Sequence, residues 1–301
     1  MVRMKIVEAV RKKKILVSDG GWGTMMQKNG LTSGECPEMW NLEKREKVVS
    51  IGKSYIDAGS EILETNSFGG TRFKLAYYGF EDKVEELNRE AAALSRRAAG
   101  EDHWVMGSVG PTGKMAVMGD VTEEDFYNAF RDQAKALETG GADAVMVETM
   151  SALDEACAAI RAGRENTGCE IIGSFSFERT PKGDFRTMMG VTPADAARAA
   201  VDAGADIIGA NCGKGYDGME TVVRDLKDAC PDVPVLIQTN AGIPKTVDGE
   251  DVFPATPEEM AGQVKLWVEA GAGIIGGCCG TTPEHIAAIR RAVDSYRGRH
   301  Q

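Results

Sequence analysis

The sequence predicts a single (β/α)8 TIM barrel, an α/β fold that spans residues 1–301 as one domain. Eight apolar, often β-branched runs of strand length alternate with longer amphipathic stretches, the pattern of parallel strands joined by crossover helices. No linker, low-complexity stretch or second-domain signature interrupts them, and a barrel commonly occupies about 250 residues or more. The runs also end alike, in acids, amides, thiols and glycines, and barrel enzymes draw their catalytic groups from those ends.

In chain order, the first run, Ile15 to Ser18, leads into Asp19-Gly20-Gly21-Trp22-Gly23-Thr24. The second, Glu61 to Thr65, continues into Asn66-Ser67-Phe68-Gly69, and the third, Trp104 to Val109, into Gly110-Pro111-Thr112-Gly113. Ala144 to Glu148 ends at Thr149 and precedes an alanine-rich helix over Ser151 to Arg164. Glu170 to Phe177 opens a long irregular connection, Glu178 to Gly190. Thr192-Pro193 then starts a helix with a capping hydroxyl and a proline in its first turn, and Ala203-Gly204-Ala205 stops it. Asp206 to Asn211 runs into Cys212. Val233 to Thr239 gives way at Asn240 to a second long connection, Ala241 to Ala255, closed by Thr256-Pro257, where Thr256 and Glu259 have capping-box spacing. Gly273 to Gly276 is followed by Cys278, Cys279 and the helix start Thr282-Pro283-Glu284. Both long connections fall on the C-terminal face of a barrel, where ligands are met.

A net charge of −11 excludes a nucleic-acid partner, which requires clustered positive charge; the only dense basic run is Arg11-Lys12-Lys13-Lys14. The segment before it lacks the apolar stretch of a signal peptide, and nothing later reads as a membrane span, so the expected compartment is the cytoplasm. Seven cysteines, an odd and sparse count, fit reduced thiols; Cys36, Cys157, Cys169 and Cys230 show no ligand spacing and read as ordinary core or surface thiols. With only His103, His285 and His300, a histidine-rich metal site is excluded by count.

Cys212, Cys278 and Cys279 stand apart. Neighbouring side chains on a strand point to opposite faces, so Cys278 and Cys279 converge only where the strand has ended and glycines turn the chain. Three thiolates on Zn²⁺ leave a fourth tetrahedral position for a substrate atom, the pattern of a catalytic rather than a structural site.

These strand-end motifs together resemble the zinc-dependent homocysteine S-methyltransferase family, most closely the members that form the homocysteine-binding module of cobalamin-dependent methionine synthases. The match runs from about Lys14 to Arg290, and its most specific elements are Asn211-Cys212 and Gly276-Gly277-Cys278-Cys279-Gly280-Thr281. The resemblance implies that Cys212, Cys278 and Cys279 bind Zn²⁺ and that homocysteine sulfur takes the fourth position. It implies that Glu148 binds the substrate ammonium with Asp19 as a second carboxylate. The turn through Gly21, Trp22, Gly23 and Thr24 would offer N–H groups to the carboxylate, with Trp22 packing above the barrel core, and Asn240 would approach the fourth metal position when substrate is absent. Two departures, Trp22 and Gln238-Thr239, bear on the shape of the mouth. The expected protein carries no folate-binding, cobalamin-binding or reactivation module beyond the barrel. The expectation is therefore a methyl group delivered by methylcobalamin on a separate corrinoid protein. Betaine or S-methylmethionine as donor, or another thiol as acceptor, are the alternatives, and a non-catalytic zinc or docking module is the reading from a different class.

Overall fold

The computed structural model describes residues 4–12, 15–247 and 250–299. Lys13 and Lys14 of the basic run, and His300, lie outside the described residues. Eight parallel strands form the barrel: β1 (Leu16–Val17), β2 (Ile62–Glu64), β3 (Trp104–Val109), β4 (Ala144–Met150), β5 (Glu170–Phe175), β6 (Ile207–Cys212), β7 (Val235–Thr239) and β8 (Ala272–Gly277). Each overlaps a run expected from the sequence, and Ala144–Met150, Ile207–Cys212 and Ala272–Gly277 extend one or two residues past theirs. The order around the sheet is β1-β8-β7-β6-β5-β4-β3-β2, and a parallel bridge from Ser18 to Ile62 brings β1 against β2.

Side chains alternate along each strand, and the two rows pack differently. Leu16, Ile62, Met106, Met146, Ile172, Ile207, Leu236 and Ile274 form the inner core, while Val17, Leu63, Val105, Val145, Ile171, Ile208, Ile237 and Ile275 meet the surrounding helices. Each such buried side chain contributes roughly 1.5–3 kcal/mol relative to exposure. A helix not anticipated from the sequence, Ile6–Arg11, adds Ile6 and Ala9 to the inner core. Glu170, at the start of β5, accepts the N–H of Ile6 (2.6 Å) and Val7 (2.9 Å) and holds that helix in place.

Helix starts follow the cap chemistry. Thr192 accepts from the Asp195 N–H, and Thr256 with Glu259 forms a complete capping box, each cap contributing roughly 1 kcal/mol. The expected helix over 151–164 instead runs Leu153–Asn166, because Ala152 is still extended at φ −106°. The two long connections are not irregular throughout: Glu178–Arg179 pairs with Phe185–Arg186, and Lys245–Val247 with Glu250–Val252, as short antiparallel hairpins. Among the described residues no helix is long and apolar enough to cross a membrane.

Candidate metal and substrate site

At the C-terminal end of the barrel the inner row turns from apolar to polar. Two residues beyond Leu16, Ile62, Met106, Met146, Ile172 and Leu236 stand Ser18, Glu64, Ser108, Glu148, Ser174 and Gln238. On β6 the same parity reaches Asn211, and on β8 it passes through Gly276 to Cys278. This polar layer is the floor of the mouth.

The Sγ atoms of Cys212, Cys278 and Cys279 lie within 4.8 Å of one another, the one such group of potential metal ligands among the described residues. Cys212 has the outward parity of Ile208 and Ala210, and a left-handed φ of 63° at the strand end redirects it toward the other two. Cys278 and Cys279 converge through a turn: Thr281 donates its N–H (3.1 Å) and hydroxyl (2.7 Å) to the Cys278 carbonyl, with Gly280 at φ 80°. A Cβ at Gly277 would lie 2.3 Å from Thr281 Oγ1, so the strand must be bare where the turn folds back on it. Thiols this close share protons. Hydrogen bonds from Cys278 and Cys279 hold Cys212 well below the usual thiol range, and those two are pushed up in turn. Three deprotonated sulfurs are compatible at this spacing only around a cation, and three thiolates suit Zn²⁺. Asn240 stands beside the cluster, donating to Gly213 O (2.7 Å) and Cys212 Sγ (3.6 Å) while its Oδ1 is buried without a partner.

Three acids share the floor. Burial pushes Asp19 and Glu148 up to about 7 and Glu64 well above the carboxylate range; repulsion from Glu148 adds to it at Asp19 and Glu64, and repulsion from Cys212 at Glu148. Among the described residues none of them forms an ion pair. Glu148 accepts from Ser108 (2.5 Å) and Asn211 (3.1 Å); Glu64 accepts from Gln238 (2.8 Å). Asp19 Oδ2 accepts from the Trp22 indole and the Glu64 N–H, both at 2.8 Å, while Oδ1 is buried without a partner.

The turn after β1 differs from the expected open nest. The Gly21 N–H is donated to Thr281 (Oγ1 3.0 Å, O 3.3 Å), and Trp22 already begins the helix Trp22–Lys28 that includes Gly23 and Thr24. Thr24 Oγ1 donates to Gly21 O and accepts from the Gly280 N–H. Tyr55, buried, donates its hydroxyl to Gly21 O and Thr281 O and ties this turn to the cysteine turn. Sequence reasoning did not single out Glu64, Ser108, Ser174, Asn211 or Gln238 as site residues, nor Tyr55. The first five were detectable by strand parity, two residues beyond an inward apolar position or, for Asn211, four beyond Ile207; nothing local marks Tyr55.

A family model described as homocysteine S-methyltransferase matches residues 16–293. Among curated proteins, methionine synthase of Mycobacterium leprae (strain TN) is 32% identical over 300 residues, covering 93% of this chain and 24% of that protein. Methionine synthase of Mycobacterium tuberculosis (strain ATCC 25618 / H37Rv) is 31% identical over 310 residues, covering 96% and 25%. The chain thus spans about a quarter of the length of these relatives. Among solved structures, the metallated form of the homocysteine methyltransferase MmuM from Escherichia coli superposes with a TM-score of 0.76 at 24% identity, covering 95% of this chain and 99% of that one, a likeness of fold.

Proposed function

The chain belongs to the homocysteine S-methyltransferase family, and from that membership we propose that it methylates the sulfur of homocysteine to give methionine, in the cytoplasm, with Cys212, Cys278 and Cys279 as ligands of Zn²⁺. The observation that carries this reading is the three-thiol cluster beside a floor of buried acids that lack an internal cation. Bound there, Zn²⁺ supplies the charge that keeps a substrate thiol, with a free pKa of about 8.5, as the thiolate nucleophile at neutral pH.

The chain's own residues orient the substrate around that sulfur. Glu148, braced by Ser108 and Asn211, receives the ammonium, and Asp19, fixed by Trp22 and the Glu64 N–H, is the second carboxylate. The backbone at Trp22, Gly23 and Thr24 faces the substrate carboxylate. Asn240 fills the approach to the thiols until substrate arrives. In the transfer, a carbon–sulfur bond forms to the thiolate, the donor–carbon bond breaks with its electron pair left on the donor, and the thiol proton has already passed to solvent.

For the donor we propose methylcobalamin carried on a corrinoid protein. Two observations support a macromolecular donor. Of the four aromatics near the strand ends that could cage a small onium, three are engaged in packing, which leaves Phe68 alone exposed: Phe175 and Phe177 lie against one another, and Trp22 is turned to Asp19. Among the described residues the exposed large apolar side chains, Leu266 excepted, stand on the segments after β2, β3, β5 and β7 around the mouth, among them Phe68, Tyr77, Met118, Met188 and Ile243. The acidic floor favours a second reading, a cationic donor such as betaine or S-methylmethionine. Zinc-loaded protein, homocysteine and free methylcob(III)alamin, mixed anaerobically, should yield cob(I)alamin by absorbance and methionine by mass spectrometry. Neither product, with homocysteine shown to bind, would transfer the weight to the onium donors.

A further inference from the structure

Among the described residues, only two non-glycine residues have positive φ, Thr149 at 58° and Cys212 at 63°, and both stand at the ends of strands that deliver site residues. Such a conformation costs a non-glycine residue of order 1–3 kcal/mol and persists only where its surroundings hold it. One side chain connects the two places. Asn211, buried to 1% exposure beside Cys212, accepts from the Thr149 N–H (2.8 Å) and Ser174 Oγ (2.7 Å) through Oδ1. Its Nδ2 donates to Thr149 Oγ1 (2.7 Å) and Glu148 Oε2 (3.1 Å). Both lone pairs and both amide protons are used, a complement that neither aspartate nor a hydroxyl residue supplies. The β4–β5 ladder breaks its register between Val147 and Met150, so at Glu148 and Thr149 this amide takes over where ladder pairing lapses.

We infer that Asn211 is a positioning residue that sets the distance between the metal thiolates and the carboxylate that receives the substrate ammonium, and so selects thiols that carry an ammonium at homocysteine spacing. This rests on the function proposed above. The amide is rooted one residue from Cys212 and holds both the Glu148 carboxylate and the Thr149 backbone that follows it, so a thiol held at the metal meets that carboxylate at one fixed span. A shift of about 1 Å in such a span costs on the order of 100-fold.

The test compares homocysteine with 4-mercaptobutyrate, the same thiol without the ammonium, as ligands of cobalt-substituted protein read by the thiolate-to-cobalt absorption bands. Asn211→Ala should weaken homocysteine on the order of 10- to 100-fold while 4-mercaptobutyrate affinity and metal affinity, measured by chelator competition, hold. If that variant does not fold, Asn211→Ala with Thr149→Gly carries the test, because glycine adopts φ 58° without strain. Equal weakening of both thiols, an unchanged ratio, or loss of metal would overturn the inference. Failure of the underlying reading is visible in the unsubstituted protein, which would then bind both thiols equally or neither at the metal.

Discussion

At the base of the barrel, acids that precede strands meet arginines and backbone donors together; at the mouth, acids buried more deeply meet neither lysine nor arginine among the described residues. Glu61, before β2, accepts the Val17 N–H and pairs with Arg290; Asp143, before β4, accepts the Val105 N–H and pairs with Arg96; Asp206, before β6, accepts the Ile171 N–H and pairs with Arg164. The device repeats at β1/β2, β3/β4 and β5/β6, where an acid ahead of one strand caps the start of the strand before it. Asp19, Glu64 and Glu148 have no cationic partner among the described residues, and burial pushes all three above the usual carboxylate range. Satisfied charge at the base stabilises the barrel, whereas unsatisfied charge at the mouth is retained at a cost to stability and answers to a ligand.

The sharpest way to break that contrast is to remove a mouth thiol. Cys212→Ala should abolish zinc binding and turnover together while the metal-free protein melts close to the parent, since the side chain is only partly buried and stands outside the hydrophobic core clusters. A zinc-free variant that still turns over would sink the mechanism. Next in size, Glu148→Gln removes the charge proposed to receive the ammonium. It should raise KM for homocysteine on the order of 10- to 100-fold, the loss of a charge-assisted hydrogen bond, and leave stability unchanged or improved. A lower melting temperature with unchanged KM would place Glu148 with the base acids instead.

Much of this contrast was legible in the sequence because it is written in period two. Eight apolar runs set the strands, and Cys212, Cys278, Cys279, Asp19 and Glu148 stood out as chemistry at their ends. Glu64, Ser108 and Gln238 were equally visible in principle, since each stands two residues beyond an inward apolar residue, but reading only the final residue of each run hides parity. Other features lay beyond local reading. Tyr55 reaches the site from a crossover helix, and the Gly21 N–H is claimed by Thr281, 260 residues away. Asn211 is visible as part of the Asn211-Cys212 motif, yet its importance comes from the left-handed backbone at Thr149 on another strand.

Titration offers a third test. Asp19 has its folded pKa raised to about 7, chiefly by burial, against 3.8 for the free group. Between those values the folded state binds more protons than the unfolded one, so this group's contribution to stability is fully present below about 4 and is lost as pH rises through about 7. The slope is at most about 1.4 kcal/mol per pH unit. Metal-free Asp19→Asn should therefore unfold in denaturant with a flatter pH dependence across that window than the parent. A variant whose pH dependence is as steep as the parent's would mean that Asp19 takes up no proton on folding, contrary to the contrast drawn here.

The smallest expected effect concerns the base. Asp206→Ala removes the acceptor of the Ile171 N–H and the partner of Arg164, leaving a backbone donor at the edge of the inner core without its bond. An unsatisfied buried donor costs about 1–3 kcal/mol, whereas the ion pair itself, about a third exposed on each side, contributes much less. Arg164 retains its bond to the Gly204 carbonyl (2.9 Å), so the helix end stays anchored and the loss should fall on the β5 start alone. The melting temperature should drop by several degrees with kcat, KM and zinc affinity unchanged, because the mouth is at the far end of the same strands. Asp206→Asn separates the two contributions: its amide oxygen still accepts the Ile171 N–H, so it should recover most of the stability although the ion pair is gone. If Asn recovers nothing, the base is held by charge rather than by backbone satisfaction, and the three repeats are ion-pair clamps instead of strand caps.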